Sequence, residues 1–411
     1  MKLITRIQDL PPELAASVSP EESAFIETLT AKGILPFAVT PFYAQRAAEL
    51  NAELMTNLQA KRDAEREAAQ GSDPAVASAA DLPAKRDAEL GVEPAANLPV
   101  GSAQPNQDRV NVIRRQFFPS PEEAHILPYE LEDPLGEARY RVAPRLVHQY
   151  RDRVLLLANG TCAGYCRHCF RRSWTATLQG FITEAELVPV TSYLAAHPEV
   201  REVLVSGGDP LMGTDERLAL LFKSLREARP GILLRIGSRM PVMAPERITP
   251  DLAALFREWR PLRLILHINH PLELAPEVRA AIIRLIDAGV PVHTQTVLLR
   301  GVNDRADTLA ELFRELLDLG ATPYYLFQGD LAPGTSHFRV PLEQSLEIYQ
   351  ELTQLISGLG LPAFAVDLPG GGGKVHLHPR SIEGEETDAS GQVWYLLRSR
   401  DNILWRYPKE A

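Results

Sequence analysis

The stretch TCAGYCRHCFRR, Thr161–Arg172, contains every cysteine of the chain. Cys162, Cys166 and Cys169 form a C-x3-C-x2-C pattern, and the 411 residues include no other cysteine. Three thiolates can bind three irons of a [4Fe–4S] cluster and leave the fourth iron open to a small molecule. The stretch therefore predicts an iron–sulfur site with one open coordination position.

Two other uses of these cysteines fit less well. His168 could complete a tetrahedral zinc site, but structural zinc usually takes two ligand pairs that lie far apart in the sequence. A disulfide is disfavoured by the odd number of cysteines and by an N-terminus without a signal-peptide core. Because thiols that hold iron must stay reduced, we expect a cytoplasmic protein.

Composition narrows the class of protein. The hydrophobic content of 45% is sufficient for a large buried core. A net charge of −10 gives no indication of a nucleic-acid partner. No apolar run reaches the length of a membrane span, so we expect no membrane association either.

The chain divides into four regions by composition. In chain order we predict an N-terminal helical region, a low-complexity linker or partly helical insert, a barrel with its lead-in, and a C-terminal region: residues 1–58, 59–108, 109–345 and 346–411. In the first region, Pro20–Ala31 and Pro41–Leu58 are amphipathic and predict short helices. The insert repeats the hexapeptide AKRDAE and has no aromatic residue, so it can bury little surface.

Strand and helix patterns alternate from Arg153 onward. The predicted strands are Val154–Ala158, Val203–Ser206, Leu233–Ile236, Leu262–His267, Val292–Leu298 and Pro323–Phe327. The predicted helices are Thr183–Ala196, Asp215–Glu227, Pro250–Trp259, Pro276–Ala288 and Ala306–Leu319. This alternation predicts a parallel α/β sheet, and six units favour a partial (β/α)6 barrel over an eight-fold one. A doubly wound open sheet is the alternative.

Polar, glycine or sulfur chemistry follows each predicted strand, at the end where barrels place their active sites. After the cysteine loop come Ser206–Asp209, Ser238 with Arg239, His267 with Asn269, Gln295, and Gln328 with Asp330. In the SGGD turn, Gly207 and Gly208 would let the backbone approach a carboxylate or amine closely. An ordinary strand-to-helix turn is the alternative for that motif.

A second glycine motif, VDLPGGGGK, ends at Lys374. Four consecutive glycines let the backbone approach a planar or phosphorylated ligand, and the lysine that follows could bond to an aldehyde such as pyridoxal phosphate (PLP). The spacing is not that of a Walker A loop. The alternative is a flexible linker with a surface lysine.

Taken together, these motifs resemble the lysine 2,3-aminomutase family of radical S-adenosylmethionine (SAM), PLP-dependent enzymes. In chain order the resemblance runs through DPL, HQYRDRVLL, CRHCFRR, SGGDPL, RIGSRMPV, HINHP, QTVLLRGVND, GTSHFR and PGGGGK. It implies a radical-SAM partial barrel with an N-terminal helical region and a small C-terminal extension. It also implies transfer of the amino group of L-lysine from C2 to C3, which gives β-lysine.

The resemblance implies three cofactors, each with its residues. Cys162, Cys166 and Cys169 would hold the [4Fe–4S] cluster. SAM would lie near Ser206, Gly207, Gly208, Asp209, His267 and Gln295. PLP would bond to Lys374, with Arg153 on its phosphate and Tyr150 beside it. An electron donor such as flavodoxin or ferredoxin would reduce the cluster, and a homo-oligomer is possible.

The substrate residues that the resemblance implies are Arg171, for the carboxylate, and Asp330 with Asp367, for the ε-ammonium of lysine. Two acids in one pocket repel each other unless a cation lies between them, so the pair favours a positively charged side chain. Arginine is also compatible by charge, whereas glutamate is less so. The remaining alternatives are β-lysine supply for modifying elongation factor P and a non-catalytic iron–sulfur or zinc protein.

The sequence departs from the family pattern at several positions. Gln149 stands where a basic residue near the PLP phosphate is expected, and Phe327 where a tyrosine is expected. The tail after Lys374 has no cysteine, so the metal-linked subunit contact of some family members is not expected.

Overall fold

A computed structural model provides the three-dimensional description of the chain. It describes residues 2–32, 36–70, 111–177, 180–378, 382–398 and 403–409. Most of the predicted low-complexity insert, from residue 71 to 108, lies outside the described residues. None of the described helices is long and apolar enough to cross a membrane.

A ten-stranded sheet and a separate three-stranded sheet organise the described chain. The first comprises β1 Arg141–Ala143, β2 Leu146–Tyr150, β3 Arg153–Asn159, β4 Glu202–Gly207, β5 Leu233–Ser238, β6 Leu262–His267, β7 Val292–Val297, β8 Thr322–Phe327, β9 Ala363–Leu368 and β10 Gly373–His376. The second comprises β11 Ile382–Thr387, β12 Val393–Arg398 and β13 Leu404–Pro408.

The helices are α1 Pro12–Ala15, α2 Pro20–Lys32, α3 Pro41–Gln70, α4 Val112–Phe117, α5 Arg172–Thr177, α6 Glu184–Ala196, α7 Asp215–Ala228, α8 Met240–Met243, α9 Pro250–Glu258, α10 Pro276–Asp287, α11 Ala306–Asp318 and α12 Leu342–Leu355. The capping box predicted for α6 is present, because Thr183 and Glu186 each bond the other's backbone N–H. All six predicted strands and all five predicted barrel helices are confirmed, with bounds within two residues.

The strands of the large sheet lie side by side in chain order, from β1 to β10. Strands β3 to β9 run parallel, whereas β1, β2 and β10 pair antiparallel with their neighbours. A doubly wound sheet would reverse the strand order at a switch point, and this sheet does not. The α/β partial barrel is therefore confirmed, with β9 as a seventh parallel strand that the sequence pattern did not predict.

Alternation along the strands separates the helix-facing side chains from those inside the barrel. On β4, Val203 and Val205 are fully buried and belong to the core that packs against the helices. The intervening Glu202, Leu204 and Ser206 face the interior. Polar side chains can therefore line the inside of the barrel without entering the apolar layer between sheet and helices.

The two edges of the large sheet approach each other. The backbone N–H of Lys374, on β10, donates to the Tyr150 hydroxyl of β2 at 3.1 Å. Tyr140 and Gln149 both donate to the carbonyl oxygen of Gly371, at 2.9 and 3.3 Å. These bonds bring the predicted PLP loop to β2, which pairs with β3, the strand that precedes the cysteine loop.

Helix α3 is longer than the predicted Pro41–Leu58. It continues to Gln70, twelve residues into the segment predicted as an insert. The extension is rich in Ala, Glu, Lys and Arg, which favour helix even where little surface is buried. The predicted end of this helix at Leu58 was therefore wrong, because the helix continues into the low-complexity sequence.

Candidate active site

The cysteine loop follows β3, and its three thiols influence one another. Burial raises the pKa of Cys162 well above its usual value, and Cys169, Asp209 and Cys166 raise it further. Burial also raises the pKa of Cys169 to about 11, with Cys166 acting in the same direction. Clustered, buried thiolates require a compensating cation, so this donor set fits an iron–sulfur cluster.

The side chain of His168 contacts Asn269 and Phe338. Its Nε2 lies 3.4 Å from the Asn269 amide nitrogen, and its ring lies edge-on to Phe338. Within the described ranges, no three His, Cys, Asp or Glu side chains converge as the ligands of a single metal ion do. Cluster ligands bind separate irons and need not meet at one point. These contacts do not support the zinc alternative that included His168.

A buried arginine network lies against Cys166. The Nη1 group of Arg239 donates to the Cys166 sulfur at 2.7 Å, and Nη2 donates to Gln116 at 2.7 Å and to the Tyr43 hydroxyl at 3.0 Å. Glu273, whose side chain is fully buried, forms an ion pair with the same guanidinium. The N-terminal helices α3 and α4 thus supply residues that hold Arg239 at the cysteine loop.

The SGGD turn packs directly against the backbone of the cysteine loop. Gly207 has a φ of +124°, and a Cβ there would lie 2.3 Å from the Asn159 carbonyl oxygen. A Cβ on Gly208 would lie 2.4 Å from the Thr161 carbonyl oxygen. Both positions therefore require glycine, which keeps this backbone close to the predicted cluster.

The carboxylate of Asp209 is buried and accepts its hydrogen bonds from neighbouring residues of the protein. The oxygens accept from the backbone N–H groups of Leu211 and Arg239 and from the Ser238 hydroxyl, at 2.8 to 2.9 Å. Burial raises the pKa of Asp209 to about 6. The residue anchors the turn to the end of β5, so any role beside SAM is one of position.

His267 ends β6 and is the register partner of Gln295 on the neighbouring strand β7. Burial, followed by the positive charges of Arg239 and Arg171, lowers the pKa of His267 to about 4. The imidazole is therefore neutral at physiological pH, with Arg171 of the cysteine loop and Arg239, which follows β5, both near enough to act on it. The residues predicted to lie near SAM are thus found at or near the C-terminal ends of parallel strands.

Arg171, predicted to bind a substrate carboxylate, forms a buried ion pair with Glu137. Its Nε and Nη2 groups donate to the Glu137 carboxylate at 2.6 to 3.2 Å, while Nη1 lies 3.3 Å from the Ser206 hydroxyl. Burial opposes the charge of Arg171, but Glu137 outweighs it and the pKa lies above its usual value. One edge of the guanidinium fork is thereby fixed, and Nη1 remains for another acceptor.

Lys374 forms an ion pair with Asp367, the residue opposite it in the β9–β10 ladder. The Nζ–Oδ2 distance is 2.7 Å, and both side chains are less than one-fifth exposed. Burial lowers the pKa of Lys374, although Asp367 acts in the opposite direction. A lowered pKa increases the fraction of neutral amine, which is the form that attacks an aldehyde.

Asp330 completes an acidic pair around this lysine. Burial, followed by the charge of Asp367, raises the pKa of Asp330 to about 7, while Lys374 and Arg171 act in the opposite direction. The two predicted substrate acids therefore lie close enough to repel each other. A cation between them would remove that repulsion.

Aromatic rings and a second arginine surround Lys374. Its ammonium lies 4.0 Å from the centroid of Phe327 and 5.2 Å from that of Tyr325, while the Arg153 guanidinium stacks on Tyr150 at 4.1 Å. A flat aromatic ligand with an anionic group can stack on such rings while its anionic group pairs with the arginine. These residues fit PLP.

Electrostatic contacts connect the two halves of the site. Cys169 and Asp330 both raise the pKa of Arg171, and Arg171 and Lys374 both lower that of Asp330. The cysteine loop, Arg171, the acid pair and Lys374 therefore lie close enough to influence one another's charge. This is the arrangement that a shared substrate requires.

The sequence patterns missed several residues of this site. These residues are Tyr43, Gln116, Glu137, Glu273 and Tyr325. Tyr43 and Gln116 belong to helices that carry no motif, and Glu137 precedes the first strand. Only the position of Tyr325, on the same strand face as Phe327, could have indicated an interior side chain.

Comparison with known proteins adds independent information. Residues 158–313 match the radical SAM superfamily. A Treponema pallidum protein provisionally named as an L-lysine 2,3-aminomutase is 45% identical over 74% of this chain and 86% of its own length. The L-lysine 2,3-aminomutases of Fusobacterium nucleatum and Clostridium subterminale are 42% and 39% identical, over 74% and 72% of this chain and 70% of theirs.

Among solved structures, the chain is similar to a radical SAM methyltransferase from Sphaerobacter thermophilus, with 19% identity and a TM-score of 0.42 over 54% of this chain and 68% of that one. The curated relatives, in contrast, extend over nearly three-quarters of the chain at high identity. They confirm the family that the motifs predicted. The chain belongs to the L-lysine 2,3-aminomutase family of radical SAM enzymes.

Proposed function

We propose that this isomerase moves the amino group of L-lysine from C2 to C3, with PLP bonded to Lys374 and β-lysine as the product. The observation that carries the proposal is the electrostatic proximity of Asp330, Asp367 and Lys374 to Arg171, which would stand at the two ends of a substrate cavity. A lysine molecule has a cation at its side-chain end and a carboxylate at its backbone end. Its charges complement those of the cavity.

The resting ion pair supports this substrate choice. With PLP held at Lys374, that side chain would no longer serve as the free ammonium that pairs with Asp367. The ε-ammonium of a lysine substrate would replace it, which stabilises both carboxylates. Arg171, oriented by Glu137, would bind the substrate carboxylate through Nη1, the group that now donates to the Ser206 hydroxyl.

The cofactors follow the same division of the cavity. Cys162, Cys166 and Cys169 would hold the cluster, with SAM beside Ser206, Gly207, Gly208, His267 and Gln295, and Asp209 supporting the turn. When bound, cluster and SAM supply a carbon radical, and PLP supplies a ring that accepts electron density. The chain holds the substrate in position and excludes water from the cavity.

The cellular setting is part of the proposal. A small amino acid is the substrate, and a one-electron donor such as flavodoxin or ferredoxin would reduce the cluster. The reduced thiols favour the cytoplasm. A homo-oligomer is compatible with the structure, which describes one chain.

The decisive experiment reconstitutes the protein without oxygen and incubates it with SAM, PLP, dithionite and one amino acid at a time. We expect β-lysine from lysine and little or no turnover of glutamate or alanine. Arginine tests pocket length, because its charge is also compatible with Asp330 and Asp367. Turnover of glutamate in preference to lysine would reject the substrate assignment.

A matched pair of variants tests the lysine itself. Lys374→Ala should remove the near-visible absorption that PLP acquires when it bonds to an amine, while iron content stays at the wild-type level. Lys223→Ala, which removes an exposed lysine of α7, should leave both unchanged. Persistence of the absorption in Lys374→Ala would contradict the assignment.

A further inference from the structure

The turn formed by residues 133–140 contacts both halves of the proposed active site, and we name it the bridging segment. The Asp133 carboxylate accepts hydrogen bonds from the backbone N–H groups of Glu137 and Ala138, at 2.9 and 2.8 Å. The Asp133 carbonyl oxygen accepts from the N–H of Gly136 at 3.1 Å. Three bonds to one residue therefore fix the shape of the turn.

One side of the bridging segment packs against the glycine loop that leads to the proposed PLP lysine. The Gly370 N–H donates to the Pro134 carbonyl oxygen at 3.0 Å. The Tyr140 hydroxyl donates to the Gly371 carbonyl oxygen at 2.9 Å. Gly136 has a φ of +63°, and a Cβ there would lie 2.7 Å from the Gly370 carbonyl carbon and the Gly371 nitrogen. The two backbones are therefore in direct contact.

The other side of the bridging segment carries Glu137, whose buried carboxylate faces Arg171. Both of its oxygens accept from the guanidinium, through Nε at 3.1 and 3.2 Å and through Nη2 at 2.6 Å. A contact at two nitrogens fixes the plane of a guanidinium as well as its position. Glu137 directly follows Gly136, so adjacent residues orient Arg171 and touch the glycine loop.

The chemistry of the substrate makes this spacing important. Under the proposed function, the α-amine of lysine is held with PLP beside the glycine loop, while its carboxylate is bound by Arg171. A single carbon joins these two groups, so a shift of Arg171 relative to the loop cannot be absorbed by a flexible chain. The ε-ammonium, in contrast, is reached through a flexible methylene chain.

We infer that the bridging segment sets the position of Arg171 relative to the glycine loop, with Glu137 and Gly136 as positioning residues for recognition of the substrate carboxylate. The inference rests on the proposed function, because it takes Arg171 to bind that carboxylate and Lys374 to hold PLP. Two consequences can be measured. The length of the Glu137 side chain matters as well as its charge, and a change of shape at Gly136 disturbs both the loop and the arginine.

The first test compares lysine with 1,5-diaminopentane, which has both amines of lysine but no carboxylate. Each is titrated into the PLP-loaded, full-length protein without SAM, and dissociation constants are measured by isothermal titration calorimetry. Glu137→Asp keeps a negative charge beside Arg171 but withdraws it by one methylene group. Its lysine constant should rise about tenfold while its diaminopentane constant stays unchanged, because only lysine uses Arg171. Glu347→Asp, at an exposed position of α12, should alter neither constant.

Two results of this test would overturn the inference. If Glu137→Asp keeps the wild-type preference for lysine over 1,5-diaminopentane, a nearby charge is sufficient and Glu137 does not position Arg171. If both constants rise equally, Glu137 supports the fold of the site and has no separate part in carboxylate recognition.

The second test uses two glycines that share a left-handed backbone. Gly136→Val drives its Cβ against the glycine loop, so it should weaken PLP binding, measured by near-visible absorption, and lower the preference for lysine at saturating PLP. Gly231 has a φ of +76° and no heavy atom within 4 Å of its Cβ position, so Gly231→Val carries the same strain without the contact and should change neither. Equal losses in the two variants, or no loss in Gly136→Val, would contradict the inference.

The outcome for the proposed function is read from the wild-type protein. If wild type makes no β-lysine, or binds lysine no better than 1,5-diaminopentane, the proposed function fails whatever the variants do. If wild type makes β-lysine and prefers lysine, but Glu137→Asp keeps that preference, only the role of the bridging segment is refuted.

Discussion

Replacing Asp330 by asparagine should make the ligand-free protein more stable at pH 8. Asp330 is half-buried near Asp367, and its pKa is raised to about 7 from an ordinary value of 3.8. A raised carboxyl pKa means that the ionised form is less stable in the folded protein than in the unfolded chain. Asparagine has a similar shape and removes that cost.

The direction and magnitude of this effect on the free energy of unfolding follow from proton binding to Asp330. Between about pH 4 and pH 7 the folded protein keeps a proton that the unfolded chain has already released, so stability falls as pH rises through this range. The full difference corresponds to about 4 kcal/mol at 25 °C, and water in the cavity reduces it to about 2–4 kcal/mol. Above pH 7 the cost is complete and no longer changes.

The assay is urea unfolding of wild type and Asp330→Asn at several pH values from 5 to 8, without lysine or PLP, followed by circular dichroism. The advantage of the variant should grow with pH and level off near pH 8. Glu347→Gln, an exposed carboxylate of α12, should show no such trend. A pH-independent difference, or a variant that is less stable at pH 8, would refute the reasoning about the acid pair.

Other perturbations address the rest of the site. Glu137→Ala leaves Arg171 buried without its partner and should lower the free energy of unfolding by about 3–5 kcal/mol in urea titrations; a loss below 1 kcal/mol would mean the pair is solvated. Arg239→Lys keeps a cation but weakens donation to Cys166, so redox titration followed by electron paramagnetic resonance should give a more negative cluster potential at equal iron content. An unchanged potential would remove Arg239 from the cluster environment. Gly208→Ala forces a Cβ against a backbone oxygen at 2.4 Å and should impair SAM binding in equilibrium dialysis more than PLP binding; equal losses would contradict a local effect.

The sequence predicted those features that depend on local pattern. Cysteine spacing led to the proposed cluster ligands, and alternating apolar strands and helices indicated the parallel sheet from Arg153 to Phe327. The capping pair of α6 was readable because Thr183 and Glu186 are three residues apart. Each of these signals lies within one short window of the chain.

Features that depend on distant pairing were not predictable in this way. Glu137 contacts Arg171 across 34 residues, and Tyr43 reaches Arg239 across 196. Neither Glu137 nor Tyr43 belongs to a sequence pattern that distinguishes it from a surface residue. Strand β9 was missed because Asp367 and the glycines that follow read as a turn, whereas pairing with β8 and β10 makes that segment part of the sheet.

The edge position of β10 has a consequence for how the holoenzyme is assembled. This strand forms a ladder with β9 alone, and its contact with β2 rests on a few bonds from tyrosine and glutamine side chains. Transient detachment of such an edge costs less than global unfolding and leaves the cysteine loop in place. We therefore expect that the proposed PLP and the [4Fe–4S] cluster can be loaded as separate events, in either order.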